Sequence, residues 1–383
     1  MQNKTIMMKQ NFFNRYFLLS ILLIVSKQVY SDSLPVGISL NMSGNDAQYS
    51  LDFNNGIASY FHKINNTKRL GKYKISLIAL DDLSSSKRAV SNTKRLIRKK
   101  KVLAILTNHH KNIAEAIAEV TIDNKTLLLS ANHLDISVNK RNRKFIVNYE
   151  KSVNQQLSKV AKHLLKTNNL YILSDDNFND KRLRATMMAY ESNEKQQIIK
   201  LNSEKLRDEQ PNQASTFLIN KPYISAIKDI EFILSLSDQH QVYVLSNTGS
   251  QFIANALTQS HSSNQLGQVN YISTTPVHQT EVKLIKEFFT DMDKFNPNLN
   301  KNDQAFKGYV LAAVLTEAIE QSLEGIKADS LIDVVTLPFQ ILDQVVGWVK
   351  HTGADTNSTA IADKMKLFNK LDEPTYLINV SRG

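Results

Sequence analysis

Hydrophobic positions along the chain alternate between the period of a strand and the period of a helix. Residues 36–40 form a short apolar run that ends in a polar turn at Ser43 and Gly44. Apolar residues then recur at helical spacing, namely Phe53, Ile57, Phe61 and Ile64. A second strand is predicted over residues 73–80, closed by Asp81 and Asp82, with another helix after it. This opening predicts a βαβα series.

The same rhythm continues and restarts once near residues 148–150. The first set predicts further strands at 102–106, 126–129 and 145–147, and the second set predicts strands at 170–173, 197–201, 216–219, 242–245 and 269–272. A long helix is predicted over 306–323, and final strands over 345–349 and 376–380. Strands alternating with helices are typical of doubly wound α/β domains, so two Rossmann-like sheets are predicted.

Ligands of such sheets bind outside the carboxyl ends of the strands. The loops that follow predicted strands are therefore the candidate ligand-facing segments: 43–49, 107–112, 130–133, 175–178, 221–223 and 246–249. The acid pairs Asp81–Asp82 and Asp175–Asp176 also stand at strand ends. We expect them to cap the helices that follow rather than to act in acid–base catalysis.

The N-terminus has the pattern of a secretory signal. Lys4, Lys9 and Arg15 precede an apolar run over residues 16–25, and 29–31 resemble a signal peptidase site. The alternative is an uncleaved anchor, but the run is about ten residues against the roughly twenty that span a bilayer. Residues 1–31 are therefore predicted to be a cleaved signal peptide, and the protein to be periplasmic.

Composition limits the remaining classes. The chain has no cysteine, which excludes disulfides and thiol chemistry, and its net charge is +11. The basic residues are scattered apart from Arg98–Lys101, where a solvated turn is expected, so nucleic acid is not predicted as a partner. No two glycines lie closer than six positions, which excludes phosphate-binding loops and nucleophile elbows. Neither an enzyme nor a cofactor is predicted, and His109–His110 fits a polar loop better than a metal site.

With these motifs in order, the chain resembles the periplasmic solute-binding proteins of the leucine/isoleucine/valine-binding type. The residues that carry the resemblance are Met42–Gly44 with Ala47–Tyr49, Gly56 with Ala58, Ile64–Asn65, Leu80–Asp82 with Lys87–Val90, Leu127–Ser130, Asp175 with Phe178, and 217–223. The resemblance implies a type I periplasmic binding fold in which two lobes, joined by three crossover segments, close on a ligand.

The implied lobe boundaries follow from crossings near 148–151, 273–276 and 346–350. Lobe 1 is expected to comprise residues 34–149 and 276–346, and lobe 2 residues 150–275 and 347–383. In this family the α-carboxylate of an amino acid is held by Ser/Thr hydroxyls and backbone N–H groups, and an acid from the second lobe holds the ammonium.

Three aromatic residues match the family pattern, Tyr49 in the first lobe and Phe178 and Tyr223 in the second. The positions that bind charge do not match. The family's serine-rich loop corresponds to residues 107–111 of this chain, which include His109 and His110. At the end of the next strand the chain has Asn132. The position of the acid that holds the ammonium falls on Asn247 or Thr248. Because a buried ammonium without an acid is costly, branched-chain amino acids are not the expected ligand.

His109, His110 and Lys111 favour an anionic or neutral polar ligand, or else the two histidines lie at the loop surface and contact nothing. The resemblance implies a protein that delivers a small polar solute to an inner-membrane ABC permease. The altered charge-binding positions leave an alternative, a periplasmic sensing subunit that docks on a histidine kinase or a diguanylate cyclase.

Overall fold

Two parallel sheets organise the chain. The computed structural model describes residues 33–44, 47–109, 111–132, 134, 145–149, 156–157, 161, 163–164, 169–174, 197–221, 223–245, 250–273, 283–324, 337–338, 340–341 and 376–379. Within these residues the first sheet contains five strands and the second contains six. The predicted α/β class with two sheets is confirmed.

The first sheet is entirely parallel. Its strands are β1 (Ser33–Leu40), β2 (Lys74–Asp81), β3 (Ala104–Thr107), β4 (Leu127–Ser130) and β5 (Ile146–Asn148), in the spatial order β2-β1-β3-β4-β5. β1 pairs with β2 along its whole length, from Ser33 opposite Lys74 to Leu40 opposite Asp81. The carboxyl ends of β1 and β2 therefore lie side by side.

Helices cover both faces of this sheet. One face packs against α1 (Ala47–Asn66), α8 (Lys283–Phe295) and α9 (Asp303–Glu324), and the other against α2 (Ser86–Lys100) and α3 (Lys111–Asp123). β3 and β4 are buried at every residue, as expected for strands with helices on both sides. The result is a three-layer α/β/α lobe.

The second sheet begins after residue 168. Its strands are β6 (Asn169–Ser174), β7 (Gln197–Leu201), β8 (Thr216–Asn220), β9 (Gln241–Val244), β10 (Val269–Ser273) and β11 (Tyr376–Asn379), in the order β11-β10-β9-β8-β6-β7. All are parallel except β11, which pairs antiparallel with β10. Its helices are α4 (Ser203–Glu209), α5 (Tyr223–Leu236), α6 (Ser250–Ser260) and α7 (Ser263–Leu266).

Helices α1 and α9 approach each other closely through two glycines. A Cβ atom on Gly56 would lie 1.8 Å from the carbonyl oxygen of Ala305, and one on Gly308 would lie 2.1 Å from that of Phe53. Only a residue without a side chain allows the two backbones to pack at this distance. The glycines therefore set the position of α1 against α9.

A buried carboxylate strengthens the same contact. Asp52 of α1 accepts hydrogen bonds from the side chains of Gln48 at 2.6 Å, Asn302 at 2.6 Å and Asn300 at 3.2 Å. Burial raises the pKa of Asp52, and these amide donors partly offset that effect. Because the Oδ1 atom of Asn302 also accepts from the backbone N–H groups of Gln304 and Ala305, one short network joins α1 to the start of α9.

The predicted strands that fall within the described residues agree with the observed ones to within three residues at each end. The predicted strand over 345–349 and the apolar run over 16–25 lie outside the described residues. Among the described helices, none is long and apolar enough to cross a membrane. The lobe boundaries stay a prediction.

One local expectation was wrong. Arg98, Lys99 and Lys100 do not form a solvated turn but complete the last turn of α2, and Lys101 follows as its left-handed C-cap with φ of 54°. Cations are favoured at this end of a helix because the carbonyl groups there carry partial negative charge. The basic run thus stabilises the end of α2.

Replacing Gly56 with alanine should destabilise the protein even though alanine is the better helix former. The added methyl group overlaps the Ala305 carbonyl, so the helices must separate, and we expect a loss of about 2–3 kcal/mol in the free energy of unfolding. Urea denaturation measures it. Gly71→Ala is the control, because Gly71 has open space around it and φ of 64°, and only about 1 kcal/mol of backbone strain applies there. An equal or smaller loss for Gly56→Ala would contradict the close contact.

Candidate functional site

A buried carboxylate joins the carboxyl ends of three neighbouring strands of the first sheet. Asp82 directly follows β2 and is fully buried. Its Oδ2 atom accepts hydrogen bonds from Ser39 Oγ at 2.7 Å and from His109 Nε2 at 2.8 Å, and its Oδ1 atom accepts from the Ser84 backbone N–H at 3.1 Å. Because Ser39 lies in β1 and His109 follows β3, Asp82 fixes the ends of β1, β2 and β3 relative to one another.

The adjacent carboxylate holds the loop between β1 and α1. Asp81 accepts from the Met42 backbone N–H at 3.0 Å, from Ser43 Oγ at 2.6 Å and from the Leu83 backbone N–H at 3.0 Å. Desolvation raises the pKa of Asp81, but these hydrogen bonds and the charge of Arg88 outweigh it, so the pKa is lowered overall. Asp81 is therefore ionised at neutral pH and anchors the turn at Ser43.

These carboxylates do not cap α2, and that expectation was wrong. The N-cap is Ser85, whose hydroxyl accepts from the Arg88 backbone N–H at 3.4 Å. Leu83 and Ser84 stand between the acid pair and the cap with φ of 54° and 56°, in the left-handed region. This double turn separates the acids from the helix, and they bond instead to the neighbouring strand ends. Asp175 and Asp176 lie outside the described residues.

Two asparagines extend the network from β3 to β4 and to α1. Asn132 Nδ2 donates to the backbone carbonyls of Asn108 at 2.8 Å and His109 at 3.2 Å. Asn108 Nδ2 donates to the backbone carbonyl of Tyr49, the third residue of α1, at 3.4 Å. All four residues are buried. They form one connected cluster at the carboxyl edge of the sheet.

The structure therefore brings together three of the predicted site residues, Tyr49, His109 and Asn132. Tyr223 is the first residue of α5, but its side chain is outside the description. The other predicted site residues lie outside the described residues, namely His110, Phe178, Asn247 and Thr248.

One of the two expectations for His109 was wrong. The alternative in which it lies at the loop surface and contacts nothing is wrong, because the residue is 6% exposed and bonds to Asp82. The same hydrogen bond engages Nε2 within the protein. That nitrogen is therefore unavailable to an anionic ligand.

Sequence reasoning did not single out several buried oxygen atoms beside this cluster. Asn41 Oδ1, Asn108 Oδ1, Ser130 Oγ and Asn132 Oδ1 are buried and have no hydrogen-bond partner among the described residues. Asn41 follows β1, Asn108 follows β3, Ser130 ends β4 and Asn132 comes two residues later. A polar residue directly after an apolar strand was the available signal, and it identified the loops but not these atoms.

In the second sheet, the predicted ligand-facing loop over 221–223 begins with a neutralised cation. The Lys221 side chain is 4% exposed, and its ammonium group bonds to the Asp229 carboxylate and to Ser203 Oγ. Arg207 Nη1 lies 3.2 Å from the other oxygen of Asp229. Lys221 therefore joins α4 to α5 and is not a free positive charge.

No group of three or more acidic or histidine side chains is arranged to hold a metal ion within the described part of the chain. The site consists instead of amides, hydroxyls, one aromatic residue and internally paired charges. Such an arrangement can bind a small polar molecule through hydrogen bonds.

Comparison with known proteins agrees with this architecture. The sequence model of the periplasmic binding protein family matches residues 33–194. A search of curated proteins found no match. The chain has the type I periplasmic binding protein fold, and the predicted resemblance to the leucine/isoleucine/valine-binding proteins is confirmed at the level of the fold.

Solved structures share the fold at low sequence identity. A possible leucine/isoleucine/valine-binding protein from Rhodopirellula baltica has a TM-score of 0.65 at 20% identity, covering 82% of this chain and 86% of its own. A branched-chain amino acid transporter substrate-binding protein from Streptococcus pneumoniae, in complex with isoleucine, has a TM-score of 0.63 at 14% identity, covering 81% and 87%. A fatty acid ABC transporter substrate-binding protein from Thermomonospora curvata has a TM-score of 0.65 at 13% identity, covering 81% and 79%.

Replacing Asp82 with asparagine should cost about 2–4 kcal/mol in the free energy of unfolding. The amide retains one acceptor but turns an N–H group toward donors in a buried site. Chemical denaturation compares this variant with Asp81→Asn, an exposed acid with a similar number of hydrogen bonds, for which a loss of about 1 kcal/mol is expected. Equal losses in the two variants would show that the buried carboxylate does not hold the strand ends.

Proposed function

We propose that the protein is a periplasmic solute-binding protein that captures a small polar ligand between two lobes and delivers it to an inner-membrane ABC transporter. The observation that carries the proposal is the cluster of Tyr49, Asn108, His109 and Asn132 at the carboxyl edge of the first sheet. In doubly wound sheets this edge is where ligands bind. Two of the similar solved proteins, a branched-chain amino acid transporter substrate-binding protein and a fatty acid ABC transporter substrate-binding protein, support the same function.

The location follows from the same proposal. A solute-binding protein of this fold acts outside the inner membrane, and the basic and apolar pattern of residues 1–31 is that of a cleavable signal peptide. The partner at the membrane is then a permease with its ATPase. Lobe 1 comprises residues 34–149 and 276–346, and lobe 2 comprises 150–275 and 347–383.

The proposed site combines residues of both lobes. From the first lobe it includes Tyr49, His109, His110 and Asn132, with Asn132 contributing an unpartnered acceptor and His109 acting through its bond to Asp82. From the second lobe it includes Phe178, Tyr223, Asn247 and Thr248. An amide and a hydroxyl stand where an amino-acid binder has an acid, so the ammonium of leucine, isoleucine or valine would lack a partner.

A sensing role is the second candidate function. A subunit that closes on its ligand and docks on a histidine kinase or a diguanylate cyclase uses the same fold and the same site. The internal pairing of His109 and Lys221 favours it, because neither residue is left to bind the charged groups of a nutrient amino acid. Co-purification from solubilised envelopes with a permease and its ATPase supports transport, and co-purification with a receptor supports sensing.

Closure on a solute is the direct test of the proposed function. Adding a solute that binds should decrease the radius of gyration of the protein, measured by small-angle X-ray scattering, and raise its melting temperature. Tyr49→Ala should abolish most of both changes, because the aromatic ring is lost while the backbone carbonyl that accepts from Asn108 is kept.

The matched control is Tyr73→Ala. Tyr73 directly precedes β2 and therefore lies at the amino ends of the strands, away from the carboxyl edge that carries the proposed site. Its own melting temperature should fall while its response to solute is kept. An unchanged response in Tyr49→Ala would place the ligand elsewhere.

A further inference from the structure

Four buried oxygen atoms at the edge of the first sheet accept no hydrogen bond from the described residues. We call them the strand-end acceptors: Asn41 Oδ1, Asn108 Oδ1, Ser130 Oγ and Asn132 Oδ1. Their residues are between 0% and 5% exposed. They follow or end β1, β3 and β4, which are consecutive in the sheet. At ordinary strand spacing this row extends over about 10 Å, the length of a small molecule.

The neighbouring atoms establish which atom of two amides is the oxygen. Asn132 Nδ2 faces the carbonyl oxygens of Asn108 and His109, and Asn108 Nδ2 faces that of Tyr49. A carbonyl oxygen only accepts, so the amide nitrogen must be the atom that points toward it. The Oδ1 atoms of Asn108 and Asn132 are thereby fixed as the atoms without partners. A buried acceptor of this kind calls for a physical explanation.

The charged groups beside the row are already paired. Asp82 accepts from Ser39, Ser84 and His109, and Asp81 accepts from the loop at Met42 and Ser43. Among the side chains that these hydrogen bonds join, none leaves a free positive group for a carboxylate. None leaves an unpaired carboxylate for an ammonium either.

We propose that the ligand presents to the first lobe an uncharged group rich in hydrogen-bond donors, such as a carboxamide, a urea or a polyol. This inference rests on the proposed function and specifies its ligand class. A carboxylate would direct lone pairs at three amide oxygens, and only the Ser130 hydroxyl could donate to it. An amide –NH2 group instead supplies two donors and leaves its carbonyl for Ser130.

Paired probes test the ligand class with purified protein. Each acid is compared with its own primary amide at equal millimolar concentration: acetate with acetamide, and isobutyrate with isobutyramide. Urea and glycerol distinguish N–H donors from O–H donors. The expected result is that a neutral probe raises the melting temperature and that no acid does so more than its amide.

The outcomes separate the inference from the function on which it rests. If an acid raises the melting temperature more than its amide, the inference is overturned while the solute-binding function stands. If no probe of either kind raises it, the inference is contradicted, and the function is then decided separately by co-purification with a permease and its ATPase.

Ser130→Ala provides a second test that does not depend on the choice of probe series. Removing an unpartnered buried hydroxyl should leave the melting temperature of the free protein equal or higher, and should weaken binding of the neutral probe about tenfold. The control is Ser322→Ala, a buried serine of α9 whose hydroxyl donates to the Ala318 carbonyl at 2.6 Å. It should lower the melting temperature slightly and keep the affinity. A destabilised Ser130→Ala protein with unchanged affinity would overturn the proposal.

Discussion

The arrangement of the site depends on one buried carboxylate. Asp82 is fully buried at the carboxyl edge of the sheet, where an ionised group is costly unless it is fully hydrogen-bonded. Its partners come from β1, from the turn after β2 and from the loop after β3. Because the segments after β1 and β3 also provide part of the proposed site, satisfying this one charge positions those ligand-facing loops.

A second constraint positions the helix that contributes Tyr49. Gly56 and Gly308 let α1 and α9 pack backbone against backbone, and Asp52 with Asn302 adds a polar contact at the same end. The start of α1 is thereby held near the sheet edge, where the Tyr49 carbonyl receives the hydrogen bond from Asn108. Packing far from the site and hydrogen bonding within it thus act on the same residue.

Local pattern was sufficient to predict most of the fold. The strands before Asp81 and after Val102 are short apolar runs, and the apolar residues from Phe53 to Ile64 recur with helical period. Each element is therefore determined by residues close to one another in the sequence. Within the site, Tyr49, His109 and Asn132 were predicted through the family resemblance. Their proximity follows from strand order, which places the ends of β1, β3 and β4 side by side.

The features that could not be predicted are those that depend on three-dimensional contacts. Asp82 was predicted to cap a helix because the sequence does not show that two residues with left-handed backbone separate it from Ser85. The sequence left two possibilities for His109, contact with a ligand or exposure to solvent. Its hydrogen-bond partner Asp82 lies 27 positions earlier in the chain, so the pairing is not visible from local sequence. The strand-end acceptors at Asn41, Asn108 and Ser130 are defined by burial without a partner, which only the folded arrangement reveals.

The proposed site differs from an amino-acid binder in polarity rather than in architecture. The charged side chains among its described residues hold the loops in place. The atoms that have no partner within the protein, and so can bind a ligand, are neutral acceptors. A crystal structure of the protein with a neutral amide bound tests this claim most directly. The account predicts ligand N–H groups within hydrogen-bond distance of Oδ1 of Asn108 and Asn132. A ligand bound elsewhere, or one with a carboxylate oxygen against these two atoms, would contradict it.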